Sequence, residues 1–221
     1  QAEDELSSIG MVIGAAWNGS RAFTTTSGPG ISLMQEFIGL AYFAEIPVVI
    51  FDVQRGGPST GLPTKVVQSD LLQSLYGRNG ESPIPVISCA TPSDAFDCAV
   101  EACRIATQYM TPVILLSDNY IANGAEPWKL PIMEDLKPFP VQFATNPEGF
   151  SPYTRDEKLA RNWAIPGTPG LEHRIGGLEK DALTGDVSYD PDNHELMSKI
   201  REDKIMGIRD SIPTPALNGE T

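Results

Sequence analysis

Three apolar runs without alternation restrict what this chain can fold into: "PVVIF" at 47–51, "IPVIS" at 84–88 and "PVILLS" at 112–117. A strand with one wet face alternates apolar and polar side chains. A run that stays apolar at successive positions is covered on both faces, as in a parallel sheet between two layers of helices. The intervening segments have the helical period. Residues 4–19 place Leu6, Ile9, Ile13, Ala16 and Trp17 along one face. Residues 31–44 are apolar almost all round, which predicts a buried helix. A short helix is predicted over 67–77. A longer one is predicted over "PSDAFDCAVEACRIATQY", opened by Pro92 and Ser93 with Asp94 and Asp97 in its first turn. "RAFTT" at 21–25 reads as a further strand. The resulting helix–strand alternation predicts an α/β fold, a three-layer parallel sheet with right-handed crossovers.

Composition changes near residue 125. Residues 1–125 hold 17 charged residues and 8 prolines; the shorter stretch 126–221 holds 28 and 11. The shift predicts an α/β domain over 1–125 and, over 126–221, an extended C-terminal arm with one helix near 192–210. An arm of this polarity cannot bury a core alone, so it is expected to pack on another domain or subunit. The chain opens directly on "QAEDELSSIG", a helix start with no strand before it, and stops at "IPTPALNGET". That is the pattern expected of a piece of a longer polypeptide.

The net charge of −13 argues against nucleic acid or an anionic membrane as partner, since both are gripped by Lys and Arg. No apolar run is long enough to span a bilayer, and the opening residues lack the pattern of a signal peptide. Cys89, Cys98 and Cys103 have no metal-type spacing. They read as small buried hydrophobes and free thiols, so a reducing cytoplasm is expected, and no iron–sulfur cluster in this chain.

Ligands of an open parallel sheet bind outside the carboxyl ends of its strands. Three loops leave strands here, "TSGPG", "DVQRGGPSTGLPT" and "SDNYIANG", and all three are expected to crowd one edge. Gly28 and Gly30 let backbone approach a ligand, and the helix that follows offers free N–H groups. The turn matches neither GxxxxGK[ST] nor GxGxxG, and a plain strand-to-helix turn that needs glycine is the alternative. The second loop is long where about 2–6 residues are usual. Its Arg55 suits a carboxylate gripped in bidentate fashion; the alternative is an arginine tied to Asp52. In "AEDEL", Glu3 and Asp4 read as a cap or first-turn acids. His173 and His194 read as exposed structural residues of the arm.

The run "AEDELSSIGMVIGAAWNGSRAFTTTSGPGISLMQEFIGLAYFAEIPVVIFDVQRGGPSTGLPTKVVQSDLL" resembles the α subunit of 2-oxoacid:ferredoxin oxidoreductases. The later "IPGTPGLEHRIGGLEKDALTGDVSYDPDNHELMSKIREDKI" resembles the arm of the 2-oxoglutarate-type subunit. The resemblance implies a thiamine diphosphate pyrimidine-binding-domain fold, lacking its first strand. It implies oxidative decarboxylation of a 2-oxoacid, 2-oxoglutarate foremost, to an acyl-CoA, with electrons passed to ferredoxin. The implied cofactor is thiamine diphosphate, shared with a β subunit that carries the diphosphate-binding domain, Mg2+ and an iron–sulfur cluster.

The family's activating glutamate opens a helix whose glycine follows nine residues later; Glu5 and Gly14 fit, Glu3 does not. Glu5 is then the catalytic and cofactor-contacting acid, sharing a proton with the pyrimidine N1′. Burial favours the neutral form of a carboxyl and so suits that task. Ser27, Gly28, Pro29 and Gly30 would wall the pyrimidine. Arg55 would hold the oxoacid carboxylate, with Thr60 or Thr64 bonding nearby. Arg155, Arg161 and Arg174 are the candidates for a second substrate carboxylate. The alternatives are a non-catalytic interface scaffold of the same superfamily and a flavodoxin-like small-molecule binder.

Overall fold

The computed structural model describes residues 1–214, so the last residues of the arm, 215–221, lie outside it. Its centre is a four-stranded, wholly parallel sheet in the order β1-β2-β4-β3. The strands are β1 (Phe23–Thr26), β2 (Val48–Gln54), β3 (Val86–Ser88) and β4 (Pro112–Asp118). The two central strands, β2 and β4, are the ones whose sequences show least alternation, and they pair from Val48↔Pro112 to Gln54↔Asp118. β2 runs three residues beyond the predicted "PVVIF", because Asp52 and Gln54 are buried polar residues within the ladder.

Helices cover both faces. α1 (Glu5–Trp17) and α2 (Gly28–Ala44) pack Ile9, Ile13, Ile31, Met34 and Ile38 against Val48, Ile50 and Ile114. α4 (Asp94–Tyr109) packs Ala102, Ile105 and Ala106 against Val49 and Val113 on the other face. A short α3 (Leu71–Tyr76) follows the long loop, and α5 (Asn119–Asn123) follows β4.

Boundaries of α2, α3 and the last helix also depart from the sequence reading. α2 begins at Gly28 rather than 31, since Pro29, which has no N–H to leave unbonded, fits the first helical turn. α3 is only 71–76 instead of 67–77. Residues before it are held out of the helix: Gln68 donates to Asp118, and the Asp70 N–H donates to the Gln54 side chain. The last helix, α6, spans Pro191–Gly207 and passes into a 3-10 turn at Ile208–Ser211.

Residues 126–190 contain one 3-10 turn, Met133–Asp135, and isolated bridges, but no longer helix or strand. The arm packs on the α/β layers of its own chain. Trp163 and Ala160 bury against Met110, and Tyr153, Met197 and Leu171 are buried as well. The strongest anchor is Glu45, the left-handed residue that ends α2. It is fully buried and takes Arg155 in bidentate fashion at 2.8 and 2.6 Å and Lys204 at 2.5 Å. Arg161 donates to the carbonyls of Ala44 and Glu45. Burial alone would raise the Glu45 carboxyl, but Lys204 and Arg155 outweigh it and hold the group down to about 2.

Candidate functional site

The three loops that leave the sheet do crowd one edge, and specific bonds tie them together. Arg55 Nε donates to Ser27 Oγ at 3.0 Å, joining the second loop to the first. Asn119 Nδ2 donates to the Pro63 carbonyl at 3.0 Å, joining the third to the second. Asp118 caps α5 and accepts from Gln68 at 2.7 Å.

Ser27 occupies the N-cap position of α2 yet makes no capping bond; its hydroxyl is taken by Arg55. The Arg55 guanidinium also donates to the Thr60 carbonyl at 2.6 Å. The alternative of an Arg55–Asp52 pair is therefore not what forms. Arg55, half-buried, lines a cavity of about 700 Å³ with Gly28, Pro29, Ser59 and Asp70. Thr60 serves this arrangement through its backbone. Thr64 is exposed and lines a different cleft, with Asn119 and Tyr120.

At the start of α1, the three acids separate into different roles. Asp4 is the cap: its carboxylate accepts from the Ser7 N–H at 2.7 Å, and that bond holds it below the usual range. Glu3 is exposed. Glu5 is half-buried and lies against the first turn of α2. A methyl group on Gly30 would overlap Thr26 Oγ1 and come within 2.8 Å of Glu5 Cγ. Gly30 is thus glycine for a steric reason, and its lack of a side chain lets the Glu5 stem reach this edge. Among the described residues no hydrogen bond or ion pair engages the Glu5 carboxyl. It borders a shallow cleft with Ser8, Thr24, Thr26 and Met34.

The structure also places residues that the sequence reading missed. Asp52 and Asp70 are both buried, Asp70 lies on the Cα of Gly28, and Gln54 receives the Asp70 N–H. The available signal was Asp52 and Gln54 themselves, polar residues two apart at the end of a buried strand.

The arm's arginines are a correction. Arg155 and Arg161 are committed to Glu45 and the end of α2, beside the amino end of β2, so they do not face the loops. Arg174 is exposed, with its carbonyl close to Gly185, which packs on Tyr153 of the same region. His173 is half-buried rather than exposed, packed on Trp17 and Phe150; His194 is exposed and pairs with Glu179. The cysteines are free thiols; burial, with Asp94 nearby, pushes Cys98 up to about 12, and burial raises Cys103. No helix of the described residues is long and apolar enough to cross a membrane.

A parallel α/β domain with an acid at a helix start, a glycine turn beside it and an arginine-bearing loop at the same strand ends is the class that fold and edge define. Residues 1–187 match the model of the thiamine-diphosphate-binding domain of pyruvate flavodoxin/ferredoxin oxidoreductases, and the chain belongs to that family. It is 59% identical over 209 residues to the 2-oxoglutarate oxidoreductase subunit KorA of Mycobacterium tuberculosis, covering 94% of this chain and 32% of that one. It is 38% identical over 213 residues to the 2-oxoglutarate synthase subunit KorA of Methanothermobacter marburgensis, covering 96% and 56%. Among solved structures it superposes with a TM-score of 0.89 and 39% identity on the 2-oxoglutarate:ferredoxin oxidoreductase of Magnetococcus marinus with 2-oxoglutarate, coenzyme A and succinyl-CoA bound. All of this chain and 39% of that one are covered. The chain thus spans between about a third and just over half the length of these relatives.

Proposed function

We propose that this chain contributes the pyrimidine-binding half of a thiamine diphosphate site in an enzyme that oxidatively decarboxylates a 2-oxoacid, 2-oxoglutarate foremost, to an acyl-CoA with ferredoxin as electron acceptor. The observation that carries the reading is Glu5: a half-buried carboxyl with no hydrogen-bond or ion-pair partner among the described residues, set beside a glycine that has no room for a side chain. The cofactor fits these residues. Its pyrimidine would meet Glu5 and the Ser27–Gly30 turn, and its role when bound is to supply a carbon nucleophile and electron sink for decarboxylation.

Glu5, at the start of α1 and free of hydrogen bonds among the described residues, would hold and return a proton at the pyrimidine N1′. Arg55, pre-set by Ser27 and the Thr60 carbonyl, orients the oxoacid carboxylate. A partner subunit with the diphosphate-binding domain completes the site, with Mg2+ and an iron–sulfur cluster held outside this chain. The relatives' names, each that of a subunit, support a heteromer. Among the described residues no three His, Cys, Asp or Glu side chains gather where they could hold a metal ion. Thr64, in a separate cleft, is the less well placed of the two threonines for substrate contact.

The test is Glu5→Gln in the assembled enzyme. Loss of the proton-transfer group is expected to lower oxoacid-dependent ferredoxin reduction by about 10²–10⁴-fold with cofactor binding retained. Turnover within a few-fold of the parent would overturn the assignment.

A further inference from the structure

Among the described residues, Asp52 and Asp70 meet beneath the glycine turn with no cation paired to either. Asp52 is 0% exposed, and among the described residues neither of its carboxyl oxygens has a hydrogen-bond partner, nor does Asp70 Oδ2. Asp52 and Gln54 share one face of β2 and Gln54 holds the Asp70 backbone, which brings the two buried carboxyls close enough to interact. Asp70 is fixed from behind: its N–H donates to Gln54 Oε1 at 2.9 Å, and Gln54 Nε2 donates to the Ser117 carbonyl. From the front it presses on α2, where a methyl group on Gly28 would stand 2.6 Å from Asp70 Oδ1 and 2.7 Å from Oδ2.

The other charged groups nearby are occupied. Arg55, from the end of β2, points to Ser27 and Thr60. Asp118, from the end of β4, is held by Gln68 and the N–H groups of Tyr120 and Ile121. The first turn of α2 carries no acid, and Glu5 lies against Gly30 rather than Gly28.

Two ionised carboxylates in this position would repel each other in a low dielectric and leave several buried oxygens unbonded. One proton removes both problems by forming an O–H···O⁻ bond between them. We propose that Asp52 and Asp70 share one proton and in that form act as positioning residues, pinning the Ser27–Gly30 turn and, through Ser27, Arg55. The kinetic part rests on the reading of this edge as an oxoacid site; the shared proton does not.

Burial and then Asp70 push the Asp52 carboxyl up to about 8, far above its ordinary 3.8. The folded chain therefore keeps a proton that the unfolded chain has lost between about pH 4 and pH 8. The stability this carboxyl contributes is complete at the acid end of that window and falls as the pH rises through about 8.

Carboxyl-13C aspartate NMR on the full parent chain tests the shared proton without any variant. One buried carboxyl is expected to titrate well above the rest; if every aspartate titrates in the ordinary carboxylate range, the proposal falls. Asp52→Asn keeps a donor toward Asp70 at every pH, so its Tm relative to the parent is expected to climb from about pH 5 to about pH 8. Parallel Tm curves would overturn the shared proton. Should that variant fail to fold, Asp70→Asn offers the same comparison with the amide on the other partner. In the assembled enzyme, the oxoacid KM is expected to rise about tenfold above pH 8 with kcat less affected, and Asp52→Asn is expected to abolish that rise. A KM rise that persists in the variant would overturn the positioning role alone. The NMR and Tm results stand or fall apart from turnover, so a failure of the pair is distinguishable from a failure of the proposed activity.

Discussion

β2 carries a buried acid near each end, and the two are treated in opposite ways. Glu45, just ahead of the strand, is fully buried and met by Arg155 and Lys204, while Arg161 covers the neighbouring carbonyls. Asp52, near the other end, is equally buried and meets only another carboxyl. The amino end is electrically complete within the chain. A buried charge with two cations and good geometry holds elements together without needing anything from outside. The carboxyl end is incomplete: among the described residues the Glu5 carboxyl has no partner, Asp52 meets only the Asp70 carboxyl, and Arg55 donates to one hydroxyl and one carbonyl rather than to an acid. Polar groups left in this state are costly for a fold and useful for a ligand. One end of β2 holds the arm; the other presents the unpaired groups that the proposed function uses.

Changes at the two ends should therefore register in different measurements. The largest stability effect is expected from Glu45→Ala, which leaves Arg155 and Lys204 buried without their anion and should cost about 3–5 kcal/mol by denaturant unfolding. A loss below about 1 kcal/mol would break the claim that this end is a clamp. The same carboxyl sets a pH limit. Because it is held down to about 2 against an ordinary 4.5, its contribution is present above about pH 4.5 and is lost as the pH falls through about 2. A parent chain whose stability is level across that window would contradict the pairing.

At the other end, Arg55→Ala is expected to raise the oxoacid KM by the worth of a charged contact, about 1.5–3 kcal/mol, or roughly 10–150-fold, with Tm nearly unchanged. Gly30→Ala sharpens the comparison with the smallest effect. Its methyl group must displace Thr26 or Glu5, so a destabilisation of about 1–3 kcal/mol is expected. It should be accompanied by loss of turnover out of proportion to the loss of folded protein.

The sequence made the sheet legible because the central strands are buried on both faces and so read as apolar without alternation. It made the loop edge legible because glycine, proline and Arg55 mark where strands end. It gave no access to the clamp. Arg155 lies 110 residues from Glu45, and nothing in either segment announces the pairing, so the arm's arginines read as spare cations for a substrate. The arm's polarity similarly concealed that Trp163, Tyr153 and Leu171 bury against the chain's own layers. Asp70 was read as part of a helix because its local pattern is helical; its backbone N–H is instead claimed by Gln54, a contact that only the folded sheet creates.

In the proposed function Glu5 serves the cofactor's pyrimidine. The most direct measurement is the rate at which the thiazolium C2 hydrogen of bound thiamine diphosphate exchanges with solvent deuterium, compared between the parent and Glu5→Gln in the assembled enzyme. Exchange in Glu5→Gln is expected to be slowed by about 10²–10⁴-fold with Tm unchanged. Equal exchange rates in the two proteins would contradict it.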